Sequence, residues 1–528
     1  IDRTRNFFDI TAARRGNIYD RNGVALALTL PAVDLGVDPK RICTKTFDDD
    51  LKKVATFLQA SEKELADTIA AKLKKAPHTR WIPLAENIPE STFQKIADAH
   101  LPGFYGNRKF LRTYPQKRRA CHIIGFVNRE GIACCGVEKF IDFFLRGQNG
   151  WVISEKDGRR QEMPQFRSRG IPCEDGCDAY LTVDIDIQNF VEDEMNRINE
   201  LYHPTHVVIL VSEAQTGKLL ALACSPNYDP NAYGRVPLDF LRNRAIADCY
   251  EPGSVFKIVP VAAGLEEGII STRTKFDCSR DTFVWQETTY HLPKDHSAFE
   301  AMTLADVLRK SSNRGSAQVA IRLGSERFFT YIRAFGFGER SGYGCDGEVE
   351  GILHAPSQWD GLTITRMPMG HAIGVTPLQM HMAMGVLASD GYLFTPRIVE
   401  RMASANVSEN DFNNVFSRTI IRRQVLSRRT VRQMRAMLFN PADGHVEHWT
   451  FASKTGTAQK IVSGRYVHDR HVASCSGFFP AQHPQFLVTV VVDSPETGGA
   501  TGWGSTYAKP SFKRIAEALA RKYPNLTP

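Results

Sequence analysis

Ser254 and Lys257 stand three residues apart in YEPGSVFKIV (250–259), directly after a Pro-Gly pair and at the head of a long apolar run. A serine hydroxyl is a poor nucleophile until a base removes its proton. Lysine can be that base only if its pKa, about 10.4 in water, falls toward neutrality. The change is worth about 4 kcal/mol, which burial and a second nearby cation can supply together. On a helix, positions i and i+3 share a face, so the two side chains are within reach. Unpaired N–H groups at a helix start also favour an oxyanion developing beside the serine. Alone, the pair reads more readily as a serine at a helix start with a lysine running out to solvent. Pro260 donates no hydrogen bond and is expected to kink the first turns.

Two further clusters change that reading. KSSNRGS (310–316) places Ser311 and Asn313 in a polar turn between two helical segments. SKTGTAQ (453–459) places Lys454, Thr455, Gly456 and Thr457 on a small-residue strand, where glycine lets a substrate backbone approach closely. A second hydroxyl, an amide and a second cation thereby join the first pair. SxxK, SxN and KTG in that chain order specify acyl transfer through a serine ester.

These clusters must be held by elements the sequence also marks. From Ala179, AYLTVDIDIQNFVEDEMNRINELY reads as a strand running into an amphipathic helix, and HVVILVSEAQTGKLLALACS as two strands joined at Thr216-Gly217. Helical segments follow around 255–270, 302–335 and 376–389, then a strand at 486–495, and SFKRIAEALARKY as a terminal helix. That order predicts an α+β domain over 179–528 whose sheet uses both ends of the segment. Residues 1–178 form a separate β-rich domain without a catalytic motif. Asn22-Gly23 predicts a tight hairpin turn there, and 48–77 reads as helical with Ser61 and Glu64 as a capping box. The Gly-, Pro- and charge-rich stretch 156–178 reads as a linker or extended arm.

The length of 528 residues exceeds what one hydrophobic core serves, so two domains are expected. The net charge of +8 is spread without a basic block, which argues against nucleic acid as a partner. No apolar run reaches the roughly 20 residues of a membrane span. Because the chain begins at Ile1 rather than Met, an N-terminal signal or anchor ahead of it is expected. Eleven cysteines cannot all pair within the chain, and their spacing shows no disulfide framework, so mostly buried free thiols are expected. The histidine pairs HVEH (445–448) and HDRH (468–471) lack a third ligand at a fixed spacing. They read as solvated loop residues, the second flanking the site without doing chemistry, and no metal is expected.

Over nearly its whole length the chain resembles a class B penicillin-binding protein. In the first domain RRGNIYDRNGVALA, LRTYPQ and GVEKFIDFFLRGQNG are similar to the family's pedestal motifs. In the second, NRAIADCYEPGSVFK, KSSNRGSAQVA, GVTPLQM, KTGTAQK, GFFPAQHPQFLVTVVVDSP and AKPSFKRIAEAL match in order. YEPGS and KTGTAQKIVSGRY look more like the septal, cell-division branch than the elongation branch. Val255 stands where a small polar Thr is usual, and Pro260 lies two places beyond the family's common proline.

The resemblance implies a peptidoglycan D,D-transpeptidase that crosslinks stem peptides ending in D-alanyl-D-alanine and is acylated by β-lactams at Ser254. Lys257 would be the base in acylation, Ser311 the proton relay to the leaving amine, and Asn313 the orienter of Lys257 and the substrate amide. Lys454 would depress Lys257 and attract the terminal carboxylate, which the Thr455 and Thr457 hydroxyls bind. The N–H groups of Ser254 and Thr457 would form the oxyanion hole. No cofactor is implied. A single N-terminal anchor in the cytoplasmic (inner) membrane, with the catalytic domain in the periplasm, is implied, as are a polytopic glycan polymerase and other division proteins as partners. A β-lactamase, a penicillin sensor and an inactive scaffold share the motifs. The first needs a means to activate water, such as a glutamate beside the site, for which no motif is visible, the second spans and an effector, and the third would tolerate losses in motifs that here are intact.

Overall fold

VVILVS and LLALACS are unbroken apolar runs rather than alternating ones, as expected of strands covered on both faces. The computed structural model describes residues 6–42, 46–156, 162–163, 167, 169–404, 416, 418–442, 444–446, 449–462, 465–496 and 503–524, with backbone only at 6, 7, 156, 162, 461, 462, 468 and 469. It places both runs in the middle of one domain. Strands β1 (His206–Glu213), β2 (Leu219–Ser225), β3 (Ala452–Val462), β4 (Arg465–Phe479) and β5 (Phe486–Asp493) form an antiparallel sheet in the order β2-β1-β5-β4-β3. β3 is an edge strand, so one of its edges is open to an added chain.

On one face, Val207, Ile209 and Val211 share a core with Ile187, Val191 and Met195 of helix α1 (Ile185–Tyr202) and with Phe512, Ile515 and Leu519 of the terminal helix α5 (Lys509–Lys522). Each such side chain contributes about 1.5–3 kcal/mol on burial. The other face carries α4 (Pro377–Ala388), whose His381 lies between Ser212 Oγ at 2.8 Å and Thr489 Oγ1 at 2.9 Å. Burial pulls His381 down to about 3, so the imidazole is neutral. α4 starts with a capping box, which TPLQ (376–379) spells in the sequence. Thr376 Oγ1 accepts the Gln379 N–H at 3.1 Å, and Gln379 Oε1 accepts the Thr376 N–H at 2.9 Å.

The run expected to be helical at 302–335 is broken. A short strand and the helix Leu304–Arg309 lead to α3 (Asn313–Leu323) and then Ser325–Ala334. The interruptions fall at Ser311 (φ 59°) and Gly324 (φ 78°), where the backbone is left-handed. The expected kink at Pro260 is absent for a simple reason. Gly253–Lys257 is a 3-10 turn, and α2 (Ile258–Glu266) starts after it, so Pro260 falls in the first α-turn, where its missing N–H has no helical partner to lose.

By compactness this domain also includes Tyr19–Val24 and Gln116–Asp142. The predicted turn is there, closed by Asp20, whose Oδ1 accepts the Asn22 and Val24 N–H groups at 2.8 and 2.7 Å.

The first unit comprises Ile1–Ile18, Ala25–Pro115 and Phe143–Asp178. Its long strand Ala25–Val37 pairs antiparallel with Ile82–Pro89 and Phe104–Thr113. The expected helix at 48–77 is two helices, Phe47–Leu58 and Glu62–Lys75, parted at a left-handed Gln59. Ser61 sits at the cap position, but its side chain accepts no hydrogen bond there, so the capping box is not formed. Within 156–178, partly outside the described residues, Arg169–Ile171 is a strand on Trp151–Ile153 rather than a free arm. Only five of the ten described cysteines are buried, so the thiols are less hidden than expected, and Cys43 lies outside the described residues. Among the described residues no helix is long and apolar enough to cross a membrane.

Candidate active site

Two glycines let the Ser254 turn meet β3. Gly253 has φ +56°, and a Cβ there would lie 2.7 Å from Thr457 O; a Cβ on Gly456 would lie 2.6 Å from Pro252 O. The sequence reading gave Gly456 to the substrate side. The strand's alternation turns it instead toward Pro252 and Val255, while Thr455 and Thr457 line the cavity. That cavity, about 630 Å³, also exposes Ser254, Ser311 and Asn313. Lys257 and Lys454, 0 % and 6 % exposed, lie behind that lining and reach it through Ser311 Oγ.

Lys257 is held by the Ser311–Asn313 turn. Its Nζ donates to Ser311 O at 2.5 Å, Ser311 Oγ at 3.1 Å and Asn313 Oδ1 at 2.7 Å. None of these bonds goes to Ser254, although in a 3-10 turn i and i+3 are eclipsed and stand one above the other. The i,i+3 spacing thus aligns the pair, and the second motif holds the amine. Lys454 Nζ donates to the same Ser311 Oγ at 3.0 Å and to Thr455 O at 3.0 Å.

One hydroxyl between two buried amines cannot serve two ammonium groups comfortably. Burial, and then the Lys454 charge, hold Lys257 well below the usual lysine range, with Asp295 opposing. Burial pulls Lys454 down to about 8, with the Cys475 thiol opposing and Lys509 adding to the fall. Burial and the Lys454 charge both push Lys257 toward the neutral form, while Lys454, at about 8, keeps its charge at neutral pH. A neutral amine can take the serine proton, a shared hydroxyl can pass it on, and the remaining ammonium can draw a carboxylate. Thr457 Oγ1 already accepts the Gly504 N–H at 2.9 Å, which leaves its proton free to point into the cavity.

Several residues that shape the site carry no motif. Asp295 lines the cavity and packs under the Ser312 turn. His371 also lines it; burial, with Lys257 and Arg366 adding, pulls it down to about 4, and its Nε2 lies 4.0 Å from Glu251. His296, Phe299 and Trp503 make an aromatic wall, His296 being 5.4 Å from Phe299 and 6.1 Å from Trp503. They carry no sequence signal, because Trp503 comes from a loop far along the chain from the one that holds His296 and Phe299. His471 flanks the cavity as expected but from strand β4 rather than from a solvated loop, whereas the His468 side chain and His448 lie outside the described residues. His445 is on a short strand, ring to ring with Phe439. No cluster that could hold a metal ion occurs among the described residues.

Two family models match the chain: the penicillin binding protein transpeptidase domain over residues 207–517 and the penicillin-binding protein dimerisation domain over 10–181. Stage V sporulation protein D of Bacillus subtilis is 31% identical over 520 residues, covering 95% of this chain and 77% of that protein. Peptidoglycan D,D-transpeptidase FtsI of Escherichia coli is 28% identical over 519 residues, covering 96% and 83%. Among solved structures, penicillin-binding protein 3 from Mycobacterium tuberculosis complexed with aztreonam superposes with a TM-score of 0.72 at 26% identity, over 98% of both chains.

Proposed function

The chain belongs to the class B penicillin-binding proteins, and from that membership we propose that its motif residues crosslink peptidoglycan stem peptides by D,D-transpeptidation during septal wall synthesis. Ser254 Oγ attacks the carbonyl between two terminal D-alanines while neutral Lys257 takes its proton. Ser311 Oγ, hydrogen-bonded to both lysines, relays a proton to the departing D-alanine amine. The C–N bond breaks, and an ester to Ser254 remains. An amine of a neighbouring stem then attacks the ester, an amide forms, and the proton returns to Ser254. Asn313 orients Lys257. Lys454 attracts the terminal carboxylate, which the Thr455 and Thr457 hydroxyls bind, and the N–H groups of Ser254 and Thr457 receive the oxyanion. β-Lactams acylate the same serine, and the steps call for no cofactor.

The observation that carries this reading is Ser311 Oγ at 3.1 and 3.0 Å from two buried amines. A hydrolytic β-lactamase reading is weaker. The carboxylate that lines the cavity, Asp295, already accepts from Ser312, Asn313 and Arg314, which leaves it poorly placed to activate water. We place the catalytic unit in the periplasm, tethered through an anchor ahead of Ile1, with the first unit as a pedestal that docks a glycan polymerase and other division proteins. A fluorescent penicillin tests the chemistry. The wild type should keep the label for hours, and Ser254→Ala should take none. A label on Ser254→Ala would make the nucleophile wrong, and loss of the wild-type label within seconds would favour hydrolysis.

A further inference from the structure

Asp295 sits in a segment without a motif, is 8 % exposed, and is almost fully engaged. Its Oδ2 accepts the Ser312 hydroxyl at 2.8 Å, and its Oδ1 accepts the Asn313 N–H and, at 3.3 Å, the Arg314 N–H. These N–H groups open α3 and have no partner within the helix. Ser312 Oγ accepts the Gly315 N–H at 3.0 Å, so its own proton is directed to Asp295. The adjoining carbonyl, Lys294 O, accepts Asn313 Nδ2 at 2.8 Å, which leaves Asn313 Oδ1 for Lys257.

The residue before this clamp is the left-handed Ser311, φ 59°. A non-glycine residue there costs on the order of 1–3 kcal/mol and persists only where its surroundings dictate it. With this backbone, Ser311 presents both O and Oγ to Lys257. We propose that Asp295 is a positioning residue for transpeptidation, clamping the Ser311–Asn313 turn so that its polar groups meet Lys257. The inference rests on Lys257 being the base.

The charged and titratable groups around the pair come from several elements. Lys257 faces Lys454 from β3 and His371 from the loop before α4. Near Asp295 lie the Cys278 thiol, 3.3 Å from Ser312 Oγ, and Arg314, whose guanidinium turns to the carbonyls of Cys278 and Ser279 at 3.0 and 2.7 Å. Asp295 is the group that raises Lys257 against burial and Lys454. Lys257 acts when deprotonated, so removing the carboxylate lowers its pKa further and moves the acid limb of acylation to lower pH.

The test is the second-order rate of acylation by a fluorescent penicillin between about pH 5 and 10. It is measured on the whole chain as wild type, Asp295→Asn, Asp295→Ala and Lys257→Ala, with Tm read alongside. Asp295→Ala should acylate about 100-fold more slowly at its optimum, the usual scale for a displaced reacting group. Asp295→Asn keeps an acceptor for Ser312, should fold with a Tm near wild type, and should recover about tenfold of that loss, with its acid limb displaced to lower pH. Wild-type rates in both Asp295 variants would overturn the inference. So would slowed rates with an unmoved limb in Asp295→Asn, the mark of a merely structural role. Lys257→Ala acylating at the wild-type rate would instead remove the base itself, and this inference with it.

Discussion

Lys454 offers the sharpest test of the charge assignment. It is 6 % exposed, its pKa is pulled down to about 8, and its Nζ lies 3.0 Å from both Ser311 Oγ and Thr455 O. The reactive form needs Lys257 neutral and Lys454 charged. For a donor peptide ending in a carboxylate, kcat/KM should rise as Lys257 loses its proton and fall again on the alkaline side near pH 8. One pH unit beyond that point only about a tenth of Lys454 is charged, so the loss is about tenfold. In Lys454→Arg the guanidinium stays charged throughout this range. The alkaline limb should vanish there, at a reduced maximum because the planar fork fits the buried site poorly. The assay is the pH profile of product formation with a stem-peptide donor and an amine acceptor. A wild-type profile flat to about pH 10, or an alkaline limb that survives in Lys454→Arg, would refute the assignment.

Other outcomes follow from the same geometry. Lys454's pKa is about 8 folded and 10.5 in its ordinary state, so its charge costs the folded state stability below about pH 8, and this cost fades as pH rises toward 10.5. Lys454→Met relieves roughly 3 kcal/mol of it at neutral pH, so Tm should rise by a few degrees in calorimetry while turnover is lost. Ser311→Ala removes the shared hydroxyl but leaves the Ser311 carbonyl; penicillin acylation should slow by about 10² to 10⁴ with little change in Tm. Gly253→Ala puts a Cβ 2.7 Å from Thr457 O at φ +56°, so fluorescent-penicillin labelling should collapse even where circular dichroism shows a folded chain. His381→Leu strands the hydroxyls of Ser212 and Thr489, and should lower unfolding free energy in urea by about 1–3 kcal/mol.

Much of this was legible in the chain. The apolar runs at 206–225 and 486–495 announced strands, and the amphipathic terminal stretch announced its helix, because burial leaves its mark on the pattern of apolar residues. Breaks inside long helical patterns were harder. The turns at Gln59 and Ser311 arise at non-glycine residues in left-handed backbone, which neighbours enforce and composition does not advertise. The Ser61 capping box failed because the motif states only what the side chains are able to reach, while the local backbone decides whether they do.

By itself the sequence singled out the candidate groups: Ser254 and Lys257, Ser311 and Asn313, Lys454 with its threonines. Acyl transfer calls for a nucleophile, a base, a relay and a cation, and these residue types in this order can supply them. Only the tertiary structure decided which partner each one takes. Lys257 sits 56 residues from Asn313 along the chain yet 2.7 Å from it in space, and Lys454 reaches Ser311 across 143 residues. Such contacts depend on packing that brings separate elements to one cavity, and so does the placement of Asp295 beneath them. The depressed lysines have the same origin. A pKa responds to burial and to every charge nearby, and both are set when the core closes around the site.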